Sequence, residues 1–195
     1  MRRLQSLYFA ALFLLLPVLA LAANWEFDPA HSSAYFKVRH MMISTVNGTF
    51  PGVTGVVVID DADLSRSSVK ATIDAKSIDT SNHKRDEHLR SADFLDVATY
   101  PAITFISTSV QTGPGENLKV TGDLTIHGVT RAVVLDGTLT PEIKDPFGNM
   151  RRGAELSTQL DRKEFGLVWN KVMETGGLLV GDEVKVTIQA ELIQK

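Results

Sequence analysis

The sequence predicts an all-β domain of eight or more antiparallel strands with one short helix. Apolar and polar residues alternate with a period of two in segment after segment, which is typical of strands with one dry and one solvated face. Only the stretch at about 81–94 carries a well-formed helix signal. Such strands can pack as a sandwich or close as a barrel. The mostly short connections, and the absence of edges in a closed sheet, favour the barrel.

Residues 1–22 are typical of a signal peptide that is removed from the working protein. Two arginines precede an apolar run from Leu7 to Leu21, and Ala20-Leu21-Ala22 is a small-x-small cleavage site. The apolar run has about 15 residues, which is short for a bilayer span of roughly 20. The alternative is an uncleaved N-terminal anchor. Residues 23–195 then form one exported domain without a further transmembrane segment.

The composition excludes several classes of function. Loss of Arg2 and Arg3 with the signal peptide changes the formal net charge from −3 to −5. An acidic chain without a basic patch is a poor binder of nucleic acid. The sequence contains no cysteine, so disulfides, a thiol nucleophile and thiolate metal ligands are excluded.

Six segments of residues 23–195 show clean alternation. In the first of them Ala34, Phe36 and Val38 alternate with more polar neighbours. The six segments are Ser33–His40, Val69–Ala75, Ile103–Phe105, Leu118–Ile126, Ala154–Asp161 and Val184–Leu192. Val56–Ile59 and Val133–Leu135 alternate less regularly, and we expect them to be covered on both faces.

Glycine-containing turns separate these segments. Asn47-Gly48 predicts a two-residue hairpin, and His127-Gly128 predicts a further connection. The alternation of Val133, Leu135 and Leu139 continues through Gly137, which we interpret as a bulge or bend.

The predicted helix begins near Thr80 or Ser81, since either hydroxyl can cap the free N–H groups of a first turn. Asp86 and Arg90 are four residues apart and predict an ion pair on one helix face. Leu89 is expected to face the sheet.

A series of short motifs runs in order through essentially all of residues 23–195. They are Trp25–Ser32, Phe36–His40, Gly48–Phe50, Ser77–Thr80, Arg85–Ser91, Asp93-Phe94, Tyr100–Phe105, Leu124–Thr130, Asp145-Pro146, Asp161-Arg162 and Phe165-Gly166. Together they resemble the YceI-like family. The resemblance implies a single extended antiparallel eight-stranded lipocalin-like β-barrel and a periplasmic location. It also implies an elongated hydrophobic cavity that binds polyisoprenoid or other long-chain amphiphiles.

The inward-facing apolar residues are the candidates for the ligand-binding surface. Many Val, Ala and Gly residues and few aromatics on these faces favour a lumen with room in it. We predict that the lumen is lined by Phe36, Val38, Phe50, Ile73, Phe105, Leu124, Ile126, Leu156, Phe165, Trp169, Val186 and Ile188. The alternative is that they form an ordinary packed core, with Leu89 and Phe94 pinning the helix. No cofactor is expected, and the expected ligand is a polyisoprenoid or isoprenoid-quinone-like lipid.

The charged residues near the helix are candidates for a second role. His40, Arg85, His88 and Arg90 are the candidates for contact with a lipid headgroup or for a lid, because an arginine fork suits a phosphate or carbonyl. The favoured alternative is structural: Arg90 pairs with Asp86 or Asp93 and locks the helix to the neighbouring strands.

Signatures of catalysis and metal binding are weak. His83 and His88 are five residues apart and so do not share a helix face, and there is no Gly-x-Ser-x-Gly elbow. We therefore predict a non-enzymatic lipid-binding protein without a metal site. Two alternatives stay open. One is an enzyme acting on a bound lipid or small hydrophobic acid, with His40 and Arg90 as first candidates. The other is a stress-response interaction protein with an incidental lumen. A homodimer also stays open, since no residue identifies one.

Overall fold

The computed structural model describes residues 22–174 and 176–195, so the predicted signal peptide lies outside the described residues except for Ala22. The strands are β1 (Ala23–Phe27), β2 (Ser33–His40), β3 (Ser44–Pro51), β4 (Thr54–Ile59), β5 (Ser68–Asp74), β6 (Ala102–Thr112), β7 (Asn117–Ile126), β8 (Val129–Leu139), β9 (Ile143–Lys144), β10 (Met150–Asp161) and β11 (Val180–Gln194). The helix α1 spans His83–Arg90, and short 3-10 helices span Leu64–Arg66, Ala75–Ser77 and Arg162–Phe165.

These strands form one closed antiparallel sheet. β1 and β2 pair with the same edge of β11, so they act as a single strand interrupted by a kink, and β3 and β4 continue each other in the same way. Pairing of β10 with β11 along its whole length closes the ring through β5, β6, β7 and β8. The predicted eight-stranded barrel with one helix is confirmed, with β9 as a short addition beside β10.

The barrel has two different ends. The upper end is formed by segments 41–43, 75–101, 127–128 and 162–179. The lower end is formed by segments 60–67, 113–116 and 140–149. At the lower end a buried cluster closes the barrel; it contains Trp25, Val57, Ile59 and Leu192. The guanidinium of Arg152 lies 5.3 Å from the centre of the Trp25 ring and covers it. Helix α1 belongs to the upper end.

Two predictions about glycines are wrong. Asn47-Gly48 is not a hairpin turn but lies within β3, and the turn is formed by Met41–Ile43. Gly48 lies opposite Phe36, and an added Cβ there would be 2.3 Å from Phe36 Cζ. Gly137 is not a bulge, because β8 pairs continuously through it; its added Cβ would lie 1.9 Å from a carbonyl of β10. Both glycines therefore allow close approach within the sheet.

The helix is present but begins later than predicted. Asn82 caps it, since its Oδ1 accepts a hydrogen bond from the Arg85 N–H at 3.1 Å. Thr80 has another partner: the Asp86 carboxylate accepts from its N–H at 2.9 Å and from its hydroxyl at 2.6 Å. The predicted Asp86–Arg90 ion pair is wrong, because Asp86 is committed to Thr80.

Among residues 22–174 and 176–195, the structure contains no helix with the length and apolar character needed to cross a bilayer.

Candidate functional site

The barrel encloses two adjacent cavities, which together we call the lumen. The lower cavity has a volume of about 180 Å³ and the upper cavity about 290 Å³. Six side chains line both and so mark their junction: Phe36, Phe50, Ile103, Ile126, Leu160 and Val186. Together the two volumes fall in the range of about 300–1,000 Å³ that is typical of small-molecule sites.

The structure places all the predicted lumen residues on this lumen. The lower cavity is lined by Ile73, Phe105, Leu124, Leu156 and Ile188, and the upper cavity by Val38, Phe165 and Trp169; Phe36, Phe50, Ile126 and Val186 line both. Those on strands face inward because the alternation along each strand puts every second side chain on the same face. Phe165 and Trp169 instead reach the upper cavity from the 162–179 loop. That these residues contact a ligand stays a prediction.

The lower cavity is almost completely apolar. Tyr35, Thr104 and Thr158 are the polar residue types in its lining, and no charged residue of the described part of the chain takes part in it. An occupant of this space therefore has no charged partner there. It gains free energy by leaving water, at about 0.8 kcal/mol for each buried CH₂ group.

The upper cavity carries polar groups among its apolar ones. Arg39, His40, Arg85, His88 and Arg162 contribute to its lining. Among the described residues, a ligand with an apolar tail and a polar end would thus meet basic side chains only at the upper end of the lumen.

Arg162 organises the loop beside the upper cavity. It is buried, and its guanidinium donates to the carbonyls of Gly181 at 2.9 Å, of Trp169 at 2.9 Å and of Leu167, and to the carboxylate of Asp182 at 3.2 Å. These bonds satisfy carbonyls that would otherwise lack partners. Arg162 therefore positions the Trp169 side chain rather than offering its charge to a ligand.

His88 is the polar member of an aromatic cluster at the upper end. Its ring meets Phe94 and Trp169 edge-on, with centroid distances of 5.0 and 4.8 Å, and its Nε2 lies 2.9 Å from the Asp93 carboxylate. Edge-to-face geometry of this kind is favourable between aromatic rings. The cluster joins α1 to the 162–179 loop and thereby covers part of the upper cavity.

The remaining headgroup candidates divide into two groups. His40 and Arg85 line the upper cavity, and Arg85 also donates to the Thr80 hydroxyl at 2.7 Å and carbonyl at 2.9 Å. Arg90 instead donates to the carbonyls of Lys76 at 2.8 Å and Ile78 at 2.5 Å. Arg90 thus holds the 75–101 segment together, which is a structural role through contacts that differ from the predicted ones.

Several lining residues escaped the sequence-based prediction. Leu89 and Phe94, expected only to pin the helix, also line the upper cavity. Leu167 and Leu179 line it from the 162–179 loop, which has no strand-like pattern of useful length. Leu167 and Trp169 lie on either side of the exposed Val168. Because Trp169 was predicted to line the lumen, this short alternation is the signal from which Leu167 could have been predicted too.

A charged cluster lies outside the lumen, where Arg151 bridges three carboxylates. Arg151 donates to Asp28 at 2.9 Å, to Asp145 at 2.6 Å and to Glu191. The hydrogen bond from Arg151, followed by that from His31, lowers the pKa of Asp28 to about 2. In turn the hydrogen bond to Asp28 raises the pKa of His31 above its usual 6.5.

Three members of this cluster also have metal-ligand geometry. One atom each of Asp28, His31 and Glu191 lies within 4.8 Å of the other two. The guanidinium of Arg151 already donates hydrogen bonds to both carboxylates, so we interpret this cluster as an ion-pair network.

Comparison with known proteins identifies relatives of this chain in sequence. The sequence model of the YceI-like domain matches residues 25–192. Protein YceI of Escherichia coli O17:K52:H18 is 39% identical over 150 residues, covering 76% of this chain and 78% of that protein. A UPF0312 protein of Staphylococcus aureus is 37% identical over 169 residues, covering 86% and 96%.

Solved structures share the architecture. The crystal structure of a Campylobacter jejuni YCEI protein is 30% identical and aligns with a TM-score of 0.68, covering 80% of this chain and 90% of that one. BcnA of Burkholderia cenocepacia aligns with a TM-score of 0.74 at 24% identity, covering 85% and 98%. A polyisoprenoid binding domain from Saccharophagus degradans aligns with a TM-score of 0.63 at 17% identity, covering 89% and 99%. The last two show the fold alone.

Proposed function

The chain belongs to the YceI-like family, and on this premise we propose that it is a periplasmic binding protein for a polyisoprenoid or similar long-chain amphiphilic lipid. It holds the lipid in the barrel lumen for storage, transport or sequestration. The observation that carries the proposal is the pair of adjacent, mainly apolar cavities inside the barrel, of which the upper one alone has charged residues of the described part of the chain in its lining. The likeness to a polyisoprenoid binding domain adds support.

The lumen suits an amphiphile entering tail first. A tail with roughly ten buried carbons gains about 8 kcal/mol before several kcal/mol of association and ordering costs. The headgroup then remains at the upper end beside His40 and Arg85. Affinity rises with tail length until the lumen is full, and headgroup selectivity is loose because few polar contacts are made.

A binding role fits these polar groups better than a catalytic one. Arg162 is committed to backbone carbonyls, Arg85 to Thr80, and His88 to Asp93. Each is engaged in holding the upper end together. The periplasmic location follows from the predicted signal peptide, which cleavage after Ala22 would remove.

Mass spectrometry of the bound lipid is the direct test. The protein is purified from periplasm without detergent, and its organic extract is analysed. We expect a polyprenyl or other long-chain species in stoichiometric amount. An empty extract, from protein that also fails to take up added polyprenyl alcohol, would overturn the proposal.

A charged substitution at the junction of the two cavities tests the site. Ile126→Glu puts a carboxylate in the lumen. We expect this variant to lose polyprenyl alcohol binding completely but to remain folded, with only a small fall in melting temperature. Val134→Glu is the matched control, since Val134 is 39% exposed on the outside of the barrel. Equal loss of binding and stability in Ile126→Glu would show that Ile126 belongs to an ordinary core.

A further inference from the structure

The upper end exposes apolar side chains on two neighbouring loops. Met42 and Ile43 form the tip of the β2–β3 hairpin and are 61% and 78% exposed, while Val168 and Val172 in the 162–179 loop are 66% and 73% exposed. We call these four residues the rim patch. Single exposed apolar residues are common, but a group of this size at one end of a domain marks a surface that meets another apolar phase.

Backbone hydrogen bonds join the two loops into one unit. The Met41 N–H donates to the Leu179 carbonyl at 2.8 Å, and the Leu179 N–H donates to the Lys171 carbonyl at 2.9 Å. Val172 and Leu178 form a β-bridge beside them. The hairpin tip and the loop thus form a short extension of the sheet, and the rim patch is a single surface rather than two independent loop tips.

The rim patch lies where the upper cavity approaches the surface. His40, Leu167, Trp169 and Leu179 line that cavity. The first three lie within two residues of a rim residue in the chain, and the Leu179 carbonyl accepts a hydrogen bond from Met41, which precedes Met42. Val168 is exposed between two residues that face inward. An extended segment at a protein surface normally has one polar side, whereas Leu167, Val168 and Trp169 are apolar on both sides.

Two exposed cations flank the rim patch. Arg39 is exposed below the hairpin tip, and Lys171 is exposed in the loop; neither makes an ion pair with a residue of the described part of the chain. Glu164 and Glu174 are the acidic residues of the same loop. Apolar side chains flanked by exposed cations suit the surface of an anionic bilayer, where the apolar groups enter the acyl boundary and the cations meet lipid phosphates.

We propose that the rim patch docks the barrel onto an anionic lipid bilayer, with the upper cavity facing the membrane. The lower end does not serve this purpose, because the cluster around Trp25 closes the barrel there. Docked in this way, a long-chain lipid passes between bilayer and lumen without exposing its tail to water. The role in transfer rests on the proposed lipid-binding function, whereas the docking itself is measured separately.

Vesicle flotation with the chain from Ala23 to Lys195 tests the proposal, since all the barrel strands lie within these residues. Vesicles contain phosphatidylethanolamine with or without phosphatidylglycerol. We expect the protein to float with the anionic vesicles and Ile43→Asp/Val172→Asp to bind them ~10-fold more weakly or worse. The matched control is Ile143→Asp/Phe147→Asp, whose residues are 63% and 89% exposed at the lower end. This control should float like the wild type.

Three further results distinguish the outcomes. Uptake of a polyprenyl alcohol from solution should be the same in the rim variant and the wild type, which separates docking from lumen binding. Uptake without any flotation would overturn the docking proposal and leave the proposed function standing. Docking would also be overturned if the rim variant floated as well as the wild type. It would be overturned as well if sedimentation showed that the wild type forms an oligomer and the rim variant does not, since the patch would then bind a second copy of the chain.

Discussion

Replacing Ala154 by phenylalanine tests whether the lower cavity is open space for a lipid tail. Ala154 lies on β10, lines the lower cavity and pairs with Leu139 and Ala190. A ring at this position enters a space of about 180 Å³. Overpacking a solid core costs about 1–3 kcal/mol, whereas filling a void costs little. We therefore expect the melting temperature to stay the same or rise.

The same substitution should weaken the binding of long ligands only. Cavity volume in proteins corresponds to about 24 cal/mol per Å³, so an occupant that fills the lower cavity gains about 4 kcal/mol there. A ring that displaces the tail from half of the cavity raises Kd ~30-fold, and complete exclusion raises it ~1,000-fold. A short ligand that fits within the 290 Å³ of the upper cavity keeps its affinity.

Calorimetric titration with geraniol and with a long polyprenyl alcohol measures this difference. Ala132→Phe adds the same atoms at an exposed position of β8 and serves as the control. Equal weakening of the short and long ligands by Ala154→Phe would refute the view of a deep tail site. A clear fall in melting temperature with intact long-chain affinity would refute it too.

Three other substitutions test the fold around the site by urea unfolding. The Asp28 carboxylate raises the pKa of His31 above 6.5, so charged His31 stabilises the fold below about pH 6.5 and this contribution is lost as pH rises through the folded-state pKa. His31→Gln should therefore destabilise more at about pH 5.5 than at about pH 8.5, and a pH-independent effect would contradict this. Gly48→Ala pushes on the Phe36 ring, and we expect a loss of about 1–3 kcal/mol; an unchanged unfolding midpoint would exclude the close contact. Arg162→Met leaves buried carbonyls without donors and should cost roughly 3 kcal/mol or more, a reasoning that fails if the loss stays under about 1 kcal/mol.

The alternation of residues predicted most of the strands, and the short connections between them favoured a barrel over a sandwich. In β2, for example, Phe36 and Val38 were assigned to the inner face from sequence, and both line the lumen. This succeeds because the side of the sheet that a residue occupies follows from the backbone geometry of its own strand.

Local signals failed where a residue's actual partner differs from the one that its local spacing or composition suggests. Asn47-Gly48 has the composition of a turn, but Gly48 is a glycine because the Phe36 ring from the next strand occupies the position of its side chain. Asp86 has the spacing for an ion pair with Arg90, yet its carboxylate instead accepts hydrogen bonds from the N–H and the hydroxyl of Thr80.

The sequence by itself thus determined a barrel with an apolar interior, because side-chain alternation is a local property of each strand. Only the tertiary structure decided that the interior is open, that it holds two adjacent cavities, and that the two loops of the rim patch are joined. The volume left between side chains depends on how strands far apart in sequence curve around one another. The hydrogen bond from the Met41 N–H to the Leu179 carbonyl likewise joins two loops that are far apart in sequence and meet only in the folded barrel.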